Sequence, residues 1–198
     1  MKTTLKFIPA MVLVLMITGN IQAQTSWSTD NTHSNVKFSV THLVISEVEG
    51  YFKSFTGTMT ATKSDFTDAK IEFTVDISSI STDNEQRDNH LKSDDFFNAE
   101  KFPKMTFKSL SMKKLNGNKY ELSGNLTIRD ITRKVVFQVT YGGIAKDPWG
   151  NIKAGFRAST TINRLEYGLK WNSLTEAGGA VVGKDVHISI NAEFKKGE

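Results

Sequence analysis

Apolar and polar side chains alternate along most of the chain, and a period of two marks strands with one buried face. Val36, Phe38 and Val40 alternate with Lys37, Ser39 and Thr41, and Ile71, Phe73, Val75 and Ile77 alternate with Glu72, Thr74 and Asp76. Met105 and Phe107 start another such run. Tyr120, Leu122, Gly124, Leu126 and Ile128 follow, then Val135, Phe137, Val139 and Tyr141, then Phe156, Ala158, Thr160 and Ile162. The cleanest run is Val186, Ile188, Ile190, Ala192 and Phe194. Between Glu47 and Thr60, Gly50 and Gly57 interrupt the alternation around Phe52, which predicts one long strand bent by a bulge or by close packing. Asn116-Gly117-Asn118 and Asp147 to Asn151 read as tight turns, so sequential strands are expected to pair antiparallel. Eight strands with one apolar face predict an all-β fold, an eight-stranded antiparallel barrel, although a two-sheet sandwich would give the same alternation. Such a barrel is just wide enough to be filled by side chains or to hold one elongated ligand. No internal repeat or linker divides the chain.

The segment from Ser81 to Pro103 breaks the pattern. Thr82 with Glu85 reads as a capping box, and Ser93 before Asp94-Asp95 as a second helix start whose acids suit a helix dipole. Two short helices are therefore predicted. The first carries Arg87, Asp88 and His90 with only Leu91 as an apolar anchor, so tertiary contacts must hold it; the second offers Phe96 and Phe97 as a plug. The insertion is either a lid on a cavity or an ordered crossover.

The first residues set the compartment. Lys2 and Lys6 precede an apolar run from Phe7 to Ile17, and small Ala23 follows shortly after, the pattern of a cleaved secretory signal. Residues 1–23 are read as that signal and residues 24–198 as one domain, periplasmic or secreted, with no transmembrane span once the signal is removed. Discounting the two signal lysines leaves 23 basic residues against 21 acidic ones, and the lysines are scattered singly, so no nucleic-acid partner is expected. With no cysteine, the domain has neither disulfides nor thiolate metal ligands.

Candidate chemistry is sparse. Gly178 to Asp185 approaches a phosphate-binding loop, but Asp185 replaces the required Ser or Thr and a strand pattern follows, so a flexible loop is expected instead. The histidines, 33, 42, 90 and 187, form no metal-binding spacing, and no metal or cofactor is expected. No GxSxG elbow is present, and no reaction suggests itself, so the chain is read as a non-enzyme. Asn125-Leu126-Thr127 matches a glycosylation sequon, of little weight in a chain that looks bacterial.

Several fragments in order carry a family resemblance: D-x-x-H-S-x-V-x-F-x-V from Asp30 to Val40, His42-Leu43, Gly50-x-Phe52, R-D-x-H-L from Arg87 to Leu91, Asp95-Phe96-Phe97 and Phe102-Pro103. Gly124-x-Leu126-Thr127-Ile128, Ile162-Asn163-Arg164 and Tyr167-Gly168 continue it. Across nearly all of residues 24–198 the chain resembles the YceI-like family of exported lipid-binding proteins; Asp130 departs from the glycine more usual there. The resemblance implies a lipocalin-like barrel with a helical insertion, around an apolar channel for a polyisoprenoid, an isoprenoid quinone-like lipid or a similar long-chain amphiphile. A solid structural or stress-response barrel, or an enzyme acting on an isoprenoid lipid, is the alternative.

On this reading Gly124, Ala158, Thr160 and Ala192 leave a tube where a filled barrel would need bulk. Its expected lining is Phe38, Val40, Phe52, Phe73, Val75, Phe96, Phe97, Phe107, Leu122, Leu126, Phe137, Phe156, Ala158, Ile188 and Ile190. Arg87 and His90 share one side of a helix turn and are expected to meet the ligand's polar head, with Arg164, Tyr167 and Trp171 as a second set. The plainer reading makes Arg87, Asp88 and His90 a polar network fastening the insertion to the barrel. The expected partners are thus a long-chain lipid and transient membrane contact, with the protein a monomer or homodimer.

Overall fold

The computed structural model describes residues 24–175 and 178–197; the expected signal segment, residues 1–23, lies outside them. Eight strand segments form a closed ring: β1 (Thr25–Thr29), β4 (Phe55–Ala61), β5 (Lys70–Asp76), β7 (Lys104–Asn116), β8 (Lys119–Ile128), β9 (Ile131–Lys146), β10 (Ile152–Asn163) and β11 (Val182–Lys196), with β11 pairing back onto β1. All pairings are antiparallel, so the barrel of the sequence reading forms and the sandwich does not. Three further segments, β2 (Asn35–His42), β3 (Ser46–Phe52) and β6 (Ile80–Ser81), extend the wall upward from β11. β1 and β2 lie end to end along β11, and β4 pairs with β1 as β3 pairs with β2, so these are long strands with a corner in each.

The predicted bend between Glu47 and Thr60 falls at Lys53-Ser54, whose amides bond the Ser79 carbonyl (3.1 Å) and hydroxyl (3.0 Å), and not at the glycines. Gly50 and Gly57 serve close packing: a Cβ on Gly50 would stand 2.3 Å from Phe38 Cζ, and one on Gly57 2.5 Å from Phe73 Cδ2. Each glycine seats a ring from the neighbouring strand. Gly124 does the same for Phe107, at 2.3 Å, so it opens no void of its own. Thr160 opens none either; its hydroxyl donates to the Val136 carbonyl at 2.8 Å and ties β10 to β9 where their ladder ends.

The D-x-x-H-S motif builds the β1–β2 corner. The Asp30 carboxylate accepts from the Thr32 amide (3.0 Å) and lies against the Lys153 ammonium and His33 Nδ1, while Ser34 Oγ accepts from the Glu193 amide at 2.9 Å. Lys153 also reaches Glu193 at 3.1 Å. The Lys153 bond, foremost, holds the Asp30 pKa well below the usual carboxylate range, and Asp30 in turn raises that of Lys153.

At the lower end Phe66, in the loop between β4 and β5, turns inward with φ +59 and meets Trp27, Tyr141 and Phe156 edge-on at 5.6, 5.5 and 5.4 Å. Asp68 folds that loop by accepting from the Thr62 hydroxyl and the Thr62 and Lys63 amides, and Tyr120 pins it by donating to the Asp65 carbonyl at 3.0 Å. This aromatic plug closes the base.

At the upper end β6 does not pair with β7, and residues 82–103 stand in the breach. They hold one α-helix, α1 (Glu85–Lys92), with no buried residue, as expected for a helix held by tertiary contacts. Its N-cap is Asn84, whose side chain accepts from the Arg87 amide, rather than the expected Thr82, whose hydroxyl is spent on Asp88 at 2.6 Å. The second predicted helix is absent. Ser93 closes the end of α1, and the chain then runs through turns around Asn98, at φ +50. The acids assigned to its dipole have other partners: Asp95 pairs with His90, and Asp94 with Asn98 and Arg129. The glycine-rich stretch expected as a loop is a strand from Val182 onward, preceded by a bridge between Leu174 and Ala180.

Candidate functional site

The inward faces do not fill the barrel. Three apolar compartments run from base to mouth, each sharing wall residues with the next. The deepest, about 90 Å³, is walled by Phe73, Val75, Phe107, Leu122, Leu126, Phe137, Phe156, Ala158, Ile188 and Ile190, and among the described residues Thr106 is the one polar residue along it. Val36, Met105 and Ile188 are shared with a middle compartment of similar size, walled also by Phe38, Val40, Phe52, Phe96, Phe97 and Arg164. Phe38, Val40, Leu91, Phe96 and Val182 are shared in turn with a mouth compartment of about 190 Å³, which Arg87, His90, Trp171 and His42 border. Every residue expected to line the tube does line one of these spaces, and of the two head-group sets Arg87, His90, Arg164 and Trp171 border them while Tyr167 does not.

Tyr167 is buried in a one-turn helix after β10, and burial raises its pKa; it borders none of the three compartments. Nor does Arg164 wait for a head group. It is 3% exposed and gives Nε to the Gly183 carbonyl (2.8 Å), Nη1 to Leu169 (2.9 Å) and Trp171 (2.7 Å), and Nη2 to Val182 (3.1 Å). Its guanidinium holds the loop before β11 against the end of β10, and burial lowers its pKa. Trp171 therefore owes its place at the mouth to Arg164. There its ring stands edge-on to His90 at 5.6 Å and tilted on Phe96 at 5.9 Å.

Arg87 and His90 do come together at the mouth. Arg87 donates Nε to the Thr82 hydroxyl and Nη2 to the Thr82 carbonyl, both at 2.7 Å, and the Thr82 hydroxyl in turn donates to the Asp88 carboxylate. This is the fastening network of the plainer reading, but it leaves Nη1 with no protein partner and Arg87 in no ion pair among the described residues. His90 Nε2 lies 3.0 Å from Asp95. The same residues thus fasten the insertion and present the Arg87 guanidinium and the His90 ring beside an apolar opening.

The chief clamp on the insertion is a residue the sequence reading passed over. Arg129, in the β8–β9 turn at φ +57, donates Nη1 to the carbonyls of Asp94 (3.0 Å), Phe96 (3.0 Å) and Gly168 (2.9 Å) and Nη2 to the Asp94 carboxylate (2.8 Å). The Asp94 pKa is lowered, chiefly by the Asn98 amide and then by Arg129. Val36, Met105 and Phe194 stand in the alternating runs but outside the expected lining, and their inward parity was the available signal; Met112 also lines the deepest compartment, and a register shift after Ser109 takes it out of phase with Met105 and Phe107.

The description YceI-like domain fits residues 27–194. A UPF0312 protein of Staphylococcus epidermidis is 41% identical over 171 residues, covering 86% of this chain and 97% of its own, and one of Staphylococcus aureus is 39% identical over 175 residues, covering 88% and 99%. Among solved structures, a Campylobacter jejuni YceI protein matches with a TM-score of 0.68 at 32% identity, over 80% of this chain and 90% of its own. Burkholderia cenocepacia BcnA (TM-score 0.73, 21% identity, 83% and 98% covered) and a polyisoprenoid binding domain from Saccharophagus degradans (0.60, 14%, 85% and 97%) share the fold.

Proposed function

The chain belongs to the YceI-like family, and from that premise we propose that it is an exported binding protein holding a long-chain amphiphile, of polyisoprenoid or isoprenoid-quinone type, inside its barrel. The observation that carries this reading is the run of three apolar compartments from the plugged base to a mouth bordered by Arg87 and His90. The polyisoprenoid binding domain with the same fold supports the ligand class. The signal pattern of residues 1–23 supports export to the periplasm or the exterior.

Size limits the ligand. At roughly 10–15 Å³ per water-sized group, the two inner compartments of about 90 Å³ each take on the order of twelve to eighteen methylene-sized groups. At about 0.8 kcal/mol per buried CH₂ that is roughly 10–14 kcal/mol, against association costs of about 4–15 kcal/mol. A short chain therefore binds feebly and a long one usefully. The tail fills the lower compartments, and the head stays at the mouth, where the free Arg87 donors offset the cost of removing it from water.

Native mass spectrometry of protein purified from bacteria, followed by solvent extraction, tests the reading. A co-purifying long-chain species is expected. Repeated recovery of empty protein that also fails to bind added long-chain isoprenoids would sink it and favour a structural barrel.

A further inference from the structure

Two hairpin tips form the rim of the mouth beside α1, and both are apolar on the outside. The turn between β2 and β3 carries Leu43, Val44 and Ile45, with Val44 71% and Ile45 85% exposed. Leu174, 65% exposed, stands on the hairpin before β11. The two tips are stitched together: the Leu43 amide donates to the Val181 carbonyl at 2.9 Å, and a Val44 methyl lies over Gly179. The turn holds Leu43 and Val44 at φ +51 and +66, a conformation that suits Asn or Gly and is a marked departure for β-branched valine. Folding alone would favour Asn-Gly there, so the apolar side chains have to be explained by what they touch.

We infer that this rim is a membrane-docking surface, inserting its apolar tips into the bilayer interface so that a lipid passes from membrane to barrel without crossing water. The inference rests on the proposed function and adds its partner. Three observations point to a bilayer rather than a protein. The rim is continuous with the ligand path, because His42, Val48, Val181 and Val182 on the inner side of the same segments wall the mouth compartment. Among the described residues of the two tips, 43–46, 172–175 and 178–183, there is also no Asp, Glu, Lys or Arg, in a chain that is 23% charged; Glu176, in the same stretch of sequence, lies outside the described residues. Shallow insertion into the interface needs exposed apolar tips of this kind. Finally, a cargo of this length has its reservoir in membranes.

The test pairs two readouts on the purified protein. Flotation with vesicles of zwitterionic phosphatidylcholine reports docking without reference to cargo. Transfer of a fluorescent geranylgeraniol derivative, offered either in those vesicles or as a cyclodextrin complex, reports uptake. Val44→Asn with Ile45→Asn keeps or relieves the turn geometry and removes the apolar tip; Leu174→Ser tests the second tip alone. Wild type is expected to float and to take up the probe from vesicles at a rate insensitive to salt, the double variant to lose flotation and slow that transfer about tenfold, and uptake from cyclodextrin to stay unchanged. Failure of wild type to float, equal vesicle rates in both proteins, loss through both routes, or a wild-type dimer that the substitutions dissociate would each overturn docking. Flotation without uptake by either route would leave docking standing and overturn the proposed cargo.

Discussion

Filling the deepest compartment should shorten the longest ligand the protein can use, and the amount can be worked out. Ala158 on β10 faces that compartment between Phe156 and the Val139 side of the wall. In Ala158→Phe the added ring occupies most of its roughly 90 Å³, a space for about six to nine methylene-sized groups at ~10–15 Å³ each. Each buried CH₂ contributes about 0.8 kcal/mol, close to a fourfold change in Kd, so the most that can be lost is about 5–7 kcal/mol. The assay is displacement of a bound fluorophore by straight-chain alcohols of increasing length. In the wild type log Kd should fall steadily with length and then level off once the tube is full. In the variant the slope should be the same and the levelling should come about six to nine carbons earlier. Identical curves would refute the reasoning, as would affinity that ignores chain length. Loss of short and long chains alike would refute it too, because a chain short enough for the upper compartments should bind the variant as it binds the wild type.

Arg87→Ala should weaken a phosphate-bearing long-chain ligand by about 1.5–3 kcal/mol, as for a hydrogen bond to a charged group, and leave the matching hydrocarbon nearly unchanged in parallel titrations; equal loss for both, with a lower Tm, would mean that Arg87 only fastens α1. Arg129→Ala leaves three carbonyls and the Asp94 carboxylate without their donor and should cost about 3 kcal/mol, lowering Tm by about 6–12 °C in differential scanning calorimetry. Gly124→Ala puts a methyl 2.3 Å from Phe107 Cζ and 2.7 Å from the Lys108 carbonyl, so overpacking of about 1–3 kcal/mol is expected in urea unfolding. Because the folded-state pKa of Asp30 is depressed, its contribution is present above the unfolded carboxylate pKa and is lost as pH falls through the lower folded value. That of Lys153, whose pKa is raised, is lost only as pH climbs past the ordinary lysine range. Asp30→Asn should therefore flatten the acid limb of the stability–pH curve measured by denaturant titration, and change its slope little near neutrality.

The strands were legible because each buries one face, so side-chain parity survives whatever the partners are. Val186 to Phe194 and Tyr120 to Ile128 could be assigned to the interior without knowing their neighbours. The corners were not legible, since Lys53-Ser54 turns only because Ser79, in the short helical turn after β5, comes beside it, and Asp30 turns because Lys153 and Glu193 face it. The insertion was legible as helical, with lid and crossover both open, but Ser93 reads equally as the start of one helix or the end of another, and only the observed bond to the His90 carbonyl decides. Arg164 and Arg129 illustrate the same limit. An arginine looks like an anion receptor in sequence, yet Arg164 gives four bonds to the carbonyls of Leu169 and Trp171 just after it and of Val182 and Gly183 at the start of β11. Arg129 carries no signal of its role in the residues beside it, since Asp94, Phe96 and Gly168 reach it only in the fold. Phe66, an aromatic residue in a polar turn, was the one local hint that the base is plugged.

How a barrel stays stable while hollow follows from where its aromatic rings go. A void in a protein interior forfeits the contacts its lining would otherwise make, so an empty tube is a standing cost to the fold. Phe38, Phe73 and Phe107 are large enough to bridge the lumen. Instead each lies back on a glycine of the next strand, Gly50, Gly57 and Gly124, and buries one face against the backbone there. The rings thus recover packing from the wall and leave the axis free. Stabilisation is concentrated at the two ends, in the Phe66 plug and the Asp30–Lys153–Glu193 corner below and in the Arg129 and Arg164 clamps above. The middle is left to be completed by something else. A ligand bound only by the folded state adds stability as RT ln(1 + [L]/Kd), so the contacts missing from the empty lumen are the ones a long hydrocarbon chain can supply. The small-residue pattern of the sequence and the apolar tube of the structure are in this sense one feature: glycine sets the width of the channel by storing the rings.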